Sequence, residues 1–300
     1  MNADLLIVGS GALATLFAAR LSAAGVNVTM LGSWHEGLAA LRKSGARLND
    51  KDGQIVQATD NPSDCRGAKF ALVLVKSWQT ETISCQLADC LADDGLAVTL
   101  QNGLGNDTIL SNALGYRRVS RAVTTLGATL LAPGHVRSGG EGVVTLEAHS
   151  HLSGLEEMLR LAGFDVSIVE IIEPIVWGKL IINAAINPLT ALLRIKNGDL
   201  LTNLPARTLM GQLAGEAAQV AKALEVTLPF LDIVGAVEEV AQRTAENVSS
   251  MLQDVQRGAP TEVEAINGAI VRMGEQKGVP APVNRTICSL VKALPVRDKI

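Results

Sequence analysis

Aromatic residues are scarce in this 300-residue chain: one tyrosine, four phenylalanines and three tryptophans, 3% in all. Its core must therefore be built from Ala, Val, Leu and Ile, and the apolar share still reaches 48%. The sole tyrosine, Tyr116, is followed four residues later by Ser120, so no Tyr-x-x-x-Lys pair is available to donate a proton. Cysteine is equally sparse. Cys65, Cys85, Cys90 and Cys288 form no CxxC pair, which argues against a disulfide framework and for reduced thiols in a cytoplasmic protein. The four histidines, His35, His135, His149 and His151, all lie within residues 1–170; His149 and His151 have strand spacing but no third ligand, so no metal is expected. A net charge of −4 without a basic run speaks against a nucleic-acid partner. Charged residues are only 19%, which suits burial of surface in a homodimer. No repeat and no low-complexity tract is present. The run 175–193 has the length of a membrane span, but Lys179, Asn183, Asn187 and Pro188 inside it favour a buried helix and no membrane partner.

What is present begins with a nucleotide-binding pattern. Residues 4–9 form a short apolar run ending in glycine, the mark of a buried parallel strand. Gly9-Ser10-Gly11-Ala12-Leu13-Ala14 follows, then an Ala/Leu-rich helix to about Ala24, a stop at Gly25, and a second strand over 26–31. Strand, glycine turn, helix and strand within about thirty residues is the context that a dinucleotide fingerprint requires. Gly9 permits the tight turn, Gly11 lets the backbone approach a pyrophosphate at the helix N-terminus, and Ala14 is the small residue for helix–strand packing. The second strand runs into Gly32-Ser33-Trp34-His35, with no carboxylate before Glu36. An acidic residue there would bind the ribose 2′-hydroxyl of NAD, so its absence leans towards NADP, with Ser33 and His35 as donors. No arginine stands there, so NAD stays open. Further strands are expected over 70–75 and 96–100, ending at Lys76 and at Gln101-Asn102-Gly103, then near 121–126, 143–146 and 164–169, with Pro133-Gly134 as a turn. Lys76 and Asn102 fall at the carboxyl edge where ligands of such sheets bind; a surface lysine and a turn asparagine would look the same.

After Glu173-Pro174 the pattern turns helical, with apolar spacings of three and four over 204–224, 231–252 and 262–277. The fold class is thus α/β: an N-terminal doubly wound Rossmann-type sheet (1–170), then an all-α domain (171–300) for substrate and catalysis. Lys179, Asn183 and Asn187 are four apart, so on a helix they share one narrow face. Lys179 is the only charge in the run 175–193. A snorkelling lysine and bridging asparagines would account for them one by one, but three buried polar groups in register call for partners or a ligand. The helical part, 171–300, has no His or Tyr, which leaves Lys179 as the best acid. Apolar surroundings would bring its pKa down towards neutrality, and Glu262 could orient it. Glu262 could equally serve a helix dipole. Asn247 and Ser250, three apart, could serve a helix interface or a site.

The chain resembles the ketopantoate reductase (2-dehydropantoate 2-reductase) family over nearly its whole length. The likeness is carried by 9–13, by Lys76-Ser77-Trp78-Gln79, by Asn102-Gly103-Leu104-Gly105, and by the run 179–190 with Asn197-Gly198. Residues 247–254 and Thr261-Glu262-Val263-Glu264-Ala265-Ile266-Asn267-Gly268 complete it. The resemblance implies NADPH-dependent reduction of 2-dehydropantoate, a small 2-oxo acid, to (R)-pantoate in pantothenate and coenzyme A synthesis. It implies Lys179 as proton donor, and Asn183, Asn187, Asn197 and Ser250 as substrate binders with Asn247 nearby. It further implies Glu262 holding cofactor and substrate hydroxyl, Lys76 and Asn102 at the nicotinamide end, and Ala128 touching the cofactor. Ala14 and Ser33 depart from the family pattern, the latter where many relatives place an arginine. A sister reductase of another branched 2-oxo acid, and a dinucleotide-binding redox sensor without catalysis, fit the same scaffold.

Overall fold

The computed structural model describes residues 4–296 and divides them into two compact units, one ending at Ile172 and the other running from Glu173 onward. Residues Asn102–Gly105 belong by their packing to the second unit, although they follow a strand of the first.

The first unit comprises β1 (Leu5–Val8), α1 (Ala12–Ala23), β2 (Val28–Leu31), α2 (His35–Ser44), β3 (Arg47–Leu48), β4 (Gln57–Thr59), β5 (Ala68–Val73) and α3 (Thr80–Cys90). It continues with β6 (Leu91–Thr99), α4 (Asn106–Leu114), β7 (Val119–Thr124), β8 (Ala128–Ala132), β9 (His135–Ser138), β10 (Val143–Glu147), α5 (Ser153–Leu161) and β11 (Asp165–Val169). Eight strands form one sheet in the order β11-β10-β7-β6-β5-β1-β2-β4, parallel except between β7 and β10. The chain leaves β1 towards β2 and β4 and then returns to β5 on its other side, so the order reverses beside β1. Ligands of doubly wound sheets bind at that switch point. The period of two is visible in β1 itself: Leu5 and Ile7 join one core layer, Leu6 and Val8 the layer on the opposite face. The second strand starts at Val28 rather than Val26, because the Val26 amide bonds the Leu21 carbonyl and closes α1 behind Gly25. The strand expected to reach Leu126 ends at Thr124, whose hydroxyl accepts the Leu126 amide at 3.1 Å. A small sheet in the order β3-β9-β8, turning at Pro133-Gly134, was not foreseen from the sequence; its strands are too short to show a period.

The second unit is helical: α6 (Glu173–Leu193), α7 (Asp199–Thr202), α8 (Leu204–Ala223), α9 (Ile233–Arg243), α10 (Ser250–Arg257), α11 (Ala269–Lys277) and α12 (Pro282–Lys292). A π-turn over Glu264–Gly268 runs directly into α11. Helix α6 is the hub, packed by α8, α9, α10 and α12. It is apolar and long enough to cross a membrane, but 67% of its most apolar stretch is buried inside the protein, as in a core helix. The single helix expected over 231–252 is in fact two. Thr244 closes α9 with its hydroxyl on the Val240 carbonyl, and Ser249 caps α10 by accepting the Leu252 amide at 3.1 Å. The apolar spacing runs through this break, which is why periodicity alone hides it. Helices α2 to α5, α7 and α12 were given no bounds in the sequence reading.

Helix α12 begins with a borrowed cap. The Glu216 carboxylate on α8 accepts the Val283 and Asn284 amides and the Asn284 side-chain amide, each at 2.9 Å. Glu216→Ala would leave these donors without their acceptor, and hydrogen bonds to a charged group are worth ~1.5–3 kcal/mol each. We expect a loss of stability on the order of that range, read as a lower midpoint in urea unfolding.

Candidate active site

Each unit contributes a distinct set of groups. In the first, β1 delivers the chain to Gly9 at φ +130, where a Cβ would stand 3.1 Å from the Leu74 backbone. A side chain is excluded there by both conformation and space. Ser10 is buried, whereas the hydrogen that would become a Cβ on Gly11 faces space with no atom within 4 Å. Helix α1 starts at Ala12 with no side-chain cap and no acidic residue in its first turn. Its free N–H groups and positive dipole end therefore remain available to an anion. Ala12 and Leu13 are half-buried, and Ala14 is fully buried in the core. The turn thus fits a pyrophosphate: a narrow glycine passage, open space above Gly11 and unsatisfied donors beneath it.

Beyond β2, Ser33 is exposed and its hydroxyl accepts a bond from the Gln79 amide at 3.3 Å. The fold also supplies a cation that sequence reading did not find: Arg42, in the last turn of α2, lies 3.5 Å from Asp60, while His35 lies 3.4 Å from the same carboxylate. Lys76 is half-buried and begins the short 3-10 turn Ser77–Gln79. That turn is held by groups with little local signal of such a role. The Gln101 amide donates to the Val75 carbonyl at 3.1 Å and to the Thr80 hydroxyl at 2.8 Å; Thr80 in turn donates to the Ser77 carbonyl and to buried Asn106. The only signal for Gln101 was its position at a strand end. Ala128 opens β8 in the small sheet.

In the second unit, Lys179, Asn183 and Asn187 lie on α6 at the spacing that puts them on one face. Lys179 and Asn183 are partly exposed and Asn187 is buried. Burial lowers the Lys179 amine from 10.5 to about 8, and the Glu262 carboxylate opposes part of that fall. Glu262 itself is 5% exposed, just ahead of the π-turn, and accepts the Asn102 side-chain amide at 3.2 Å. Asn102, Lys179 and Glu262 are thus brought together from three separate stretches of sequence. Gly103 and Leu104 are fastened to the same turn, the Leu104 amide donating to the Ala265 carbonyl at 2.9 Å. The arrangement is an amine of lowered basicity, a carboxylate that restrains it, and side-chain amides able to donate hydrogen bonds: the equipment for giving a proton to an oxygen that gains charge.

The remaining asparagines and serine are placed differently from the sequence expectation. Asn247 does not sit on a helix face with Ser250: it lies exposed in the connection after α9, and Ser250, also exposed, is the first residue of α10. The end of α9 and the cap at Ser249 separate them from a common helix. Asn197 is buried, donates its amide to the Thr244 hydroxyl at 2.9 Å, and receives no bond on its side-chain oxygen. Its backbone amide bonds the Asn247 carbonyl, so it anchors that connection. Thr190 on α6 donates to Ser249 at 2.7 Å and fixes the start of α10 beneath Ser250. Among the described residues no cluster of three potential metal ligands occurs.

Known proteins share this architecture and sequence. Residues 5–151 match the family described as Ketopantoate reductase PanE/ApbA, and residues 172–295 match Ketopantoate reductase PanE/ApbA C terminal. The 2-dehydropantoate 2-reductase of Archaeoglobus fulgidus is 41% identical over 295 residues, covering 96% of each chain. The crystal structure of a PanE/ApbA family ketopantoate reductase from Ralstonia eutropha JMP134 superimposes with a TM-score of 0.90 at 32% identity, covering 97% of each chain. A D-mandelate dehydrogenase solved with NADH and anilino(oxo)acetate shares the fold, with a TM-score of 0.89 at 23% identity over 96% of this chain and 97% of that one.

Proposed function

The chain belongs to the ketopantoate reductase family, and on that premise we propose that it reduces 2-dehydropantoate to (R)-pantoate with NADPH, the proton coming from Lys179. The observation that carries the chemistry is the Lys179 amine, held near pKa 8 between burial and the Glu262 carboxylate. A bound reduced nicotinamide supplies the hydride. Gly9, Ser10, Gly11 and the first turn of α1 hold the pyrophosphate, with Ala12, Leu13 and Ala14 shaping its seat. Ser33 and His35 are the donors offered to a 2′-phosphate, and no carboxylate at the end of β2 repels it. Lys76, Asn102 and Ala128 are assigned to the cofactor and Asn183, Asn187, Asn197, Asn247 and Ser250 to the 2-oxo acid.

During reduction the carbonyl oxygen gains negative charge. Protonated Lys179 gives that oxygen its proton, and the Asn183 amide stabilises the charge as it develops, an interaction stronger in the transition state than in the ground state. Glu262 keeps the amine charged at neutral pH and orients it; Asn102 keeps Glu262 in place. An acid must be protonated to act, so activity is held below the Lys179 pKa and lost above it. We expect kcat/KM to be level on the acid side and to fall about tenfold per unit above pH ~8.

The deciding experiment is a spectrophotometric assay of ketopantoate with NADPH and NADH in parallel. Oxidation of NADPH at a higher kcat/KM than NADH supports the whole reading. A preference for NADH would move the cofactor assignment alone. Absence of turnover with either, while another branched 2-oxo acid is reduced, would replace the substrate.

A further inference from the structure

Pro188 stands in the interior of α6, between Asn187 and Leu189. A proline has no N–H, so the carbonyl four residues earlier, that of Ala184, loses its helical partner, and the ring presses on it as well. This carbonyl lies next to Asn183, in the middle of the Lys179–Asn183–Asn187 stripe. Proline positions are where helices bend, and a bend here would alter the aim of Lys179.

The missing donor is supplied from elsewhere. The Asn267 side-chain amide donates to the Ala184 carbonyl at 3.0 Å, and also to the Asn284 side-chain oxygen at 3.0 Å. Asn284 is held in turn by the Leu213 carbonyl and by Glu216. Asn267 and Asn284 are both fully buried. Asn267 sits in the π-turn, five residues after Glu262, so the segment that carries the carboxylate also reaches into the gap that the proline leaves. Single π-turns inside helices recur at functional sites. The side-chain oxygen of Asn267 is buried without a partner, an arrangement that stability alone does not favour. The residue belongs to the stretch 261–268 that carries the family resemblance, yet no step above uses it.

We propose that Asn267 is a positioning residue: by taking the Ala184 carbonyl that Pro188 leaves open, it fixes the Lys179–Asn183 turn of α6 against the Glu262 segment. This rests on the reductase reading for its catalytic consequence. The geometry acts through two tethers from one turn, Asn267 to α6 and Ala265 to Leu104, which hold lysine, carboxylate and Asn102 at fixed separation.

The test uses the full chain in four forms: native, Asn267→Ala, Pro188→Ala, and the double variant. Removal of the amide should lower kcat by ~10–10²-fold, as a small misplacement of catalytic groups does, with KM for the dinucleotide changed less than kcat because the glycine turn belongs to the first unit. Pro188→Ala restores a backbone N–H to Ala184, so the double variant should recover most of kcat and most of the melting temperature lost in Asn267→Ala. Recovery of both supports the proposal, including when the single variant fails to fold and the double variant folds and works. A folded Asn267→Ala with native kcat, or a double variant no better than the single, overturns it. An inactive native chain would sink the reductase reading instead, and the melting temperatures would still decide whether the two residues exchange one hydrogen bond.

Discussion

Lys179→Ala is expected to lower kcat by ~10²–10⁴-fold, the range for loss of a general acid. Three observations lead to that size. The amine sits near pKa 8, so at neutral pH it is mostly protonated yet gives up its proton more readily than an exposed lysine. The Glu262 carboxylate pulls the other way but does not cancel the effect of burial. Residues 171–300 contain no His or Tyr to take its place. Lys179→Arg should rescue little, because a guanidinium stays charged and surrenders no proton in this range. The fold should survive. A pKa lowered by burial means that the folded protein holds this proton less tightly than the unfolded chain, so at neutral pH the ammonium opposes folding. Alanine should therefore keep or raise the melting temperature while kcat collapses. A variant retaining more than about a tenth of native kcat would remove Lys179 from the acid role.

The first unit was the more legible half, because its signals are local. A strand, a glycine turn and an uncapped helix follow one another within residues 5–23, and each is specified by its own residues. The α6 stripe could also be read, since one helix sets its spacing. What could not be read depends on contacts between distant segments. Asn102 does follow a strand end, as read, but its packing with the helical unit and its bond to Glu262, 160 residues away in sequence, had no local signal. The 231–252 pattern hid a break that is made by side-chain caps at Thr244 and Ser249 rather than by a change in periodicity. Pro188 was read only as a mark against a membrane span; that its vacant acceptor is filled by Asn267 emerges only when α6 and the π-turn are seen side by side.

Gly103→Ala should do much more harm than Gly105→Ala, although the two glycines share a loop and a backbone region. Both have positive φ, +85 and +89, so alanine meets a similar conformational cost at each, on the order of 1–3 kcal/mol. Their surroundings differ. A Cβ on Gly105 would meet nothing within 4 Å, whereas one on Gly103 would lie 2.4 Å from the Ala265 carbonyl oxygen and 2.7 Å from its carbon. Those are backbone atoms of the π-turn, and no rotamer can move them aside. The loop must lift away, which breaks the Leu104–Ala265 bond and draws Asn102 from Glu262. Glu262 would then lose the group that orients it beside Lys179. Gly103→Ala is accordingly expected to cut kcat/KM by ~10²-fold and to lower the melting temperature further than Gly105→Ala, which should lose stability with most of its turnover kept. Equal losses of turnover in the two variants would show that close approach to the π-turn does not set the position of the catalytic groups.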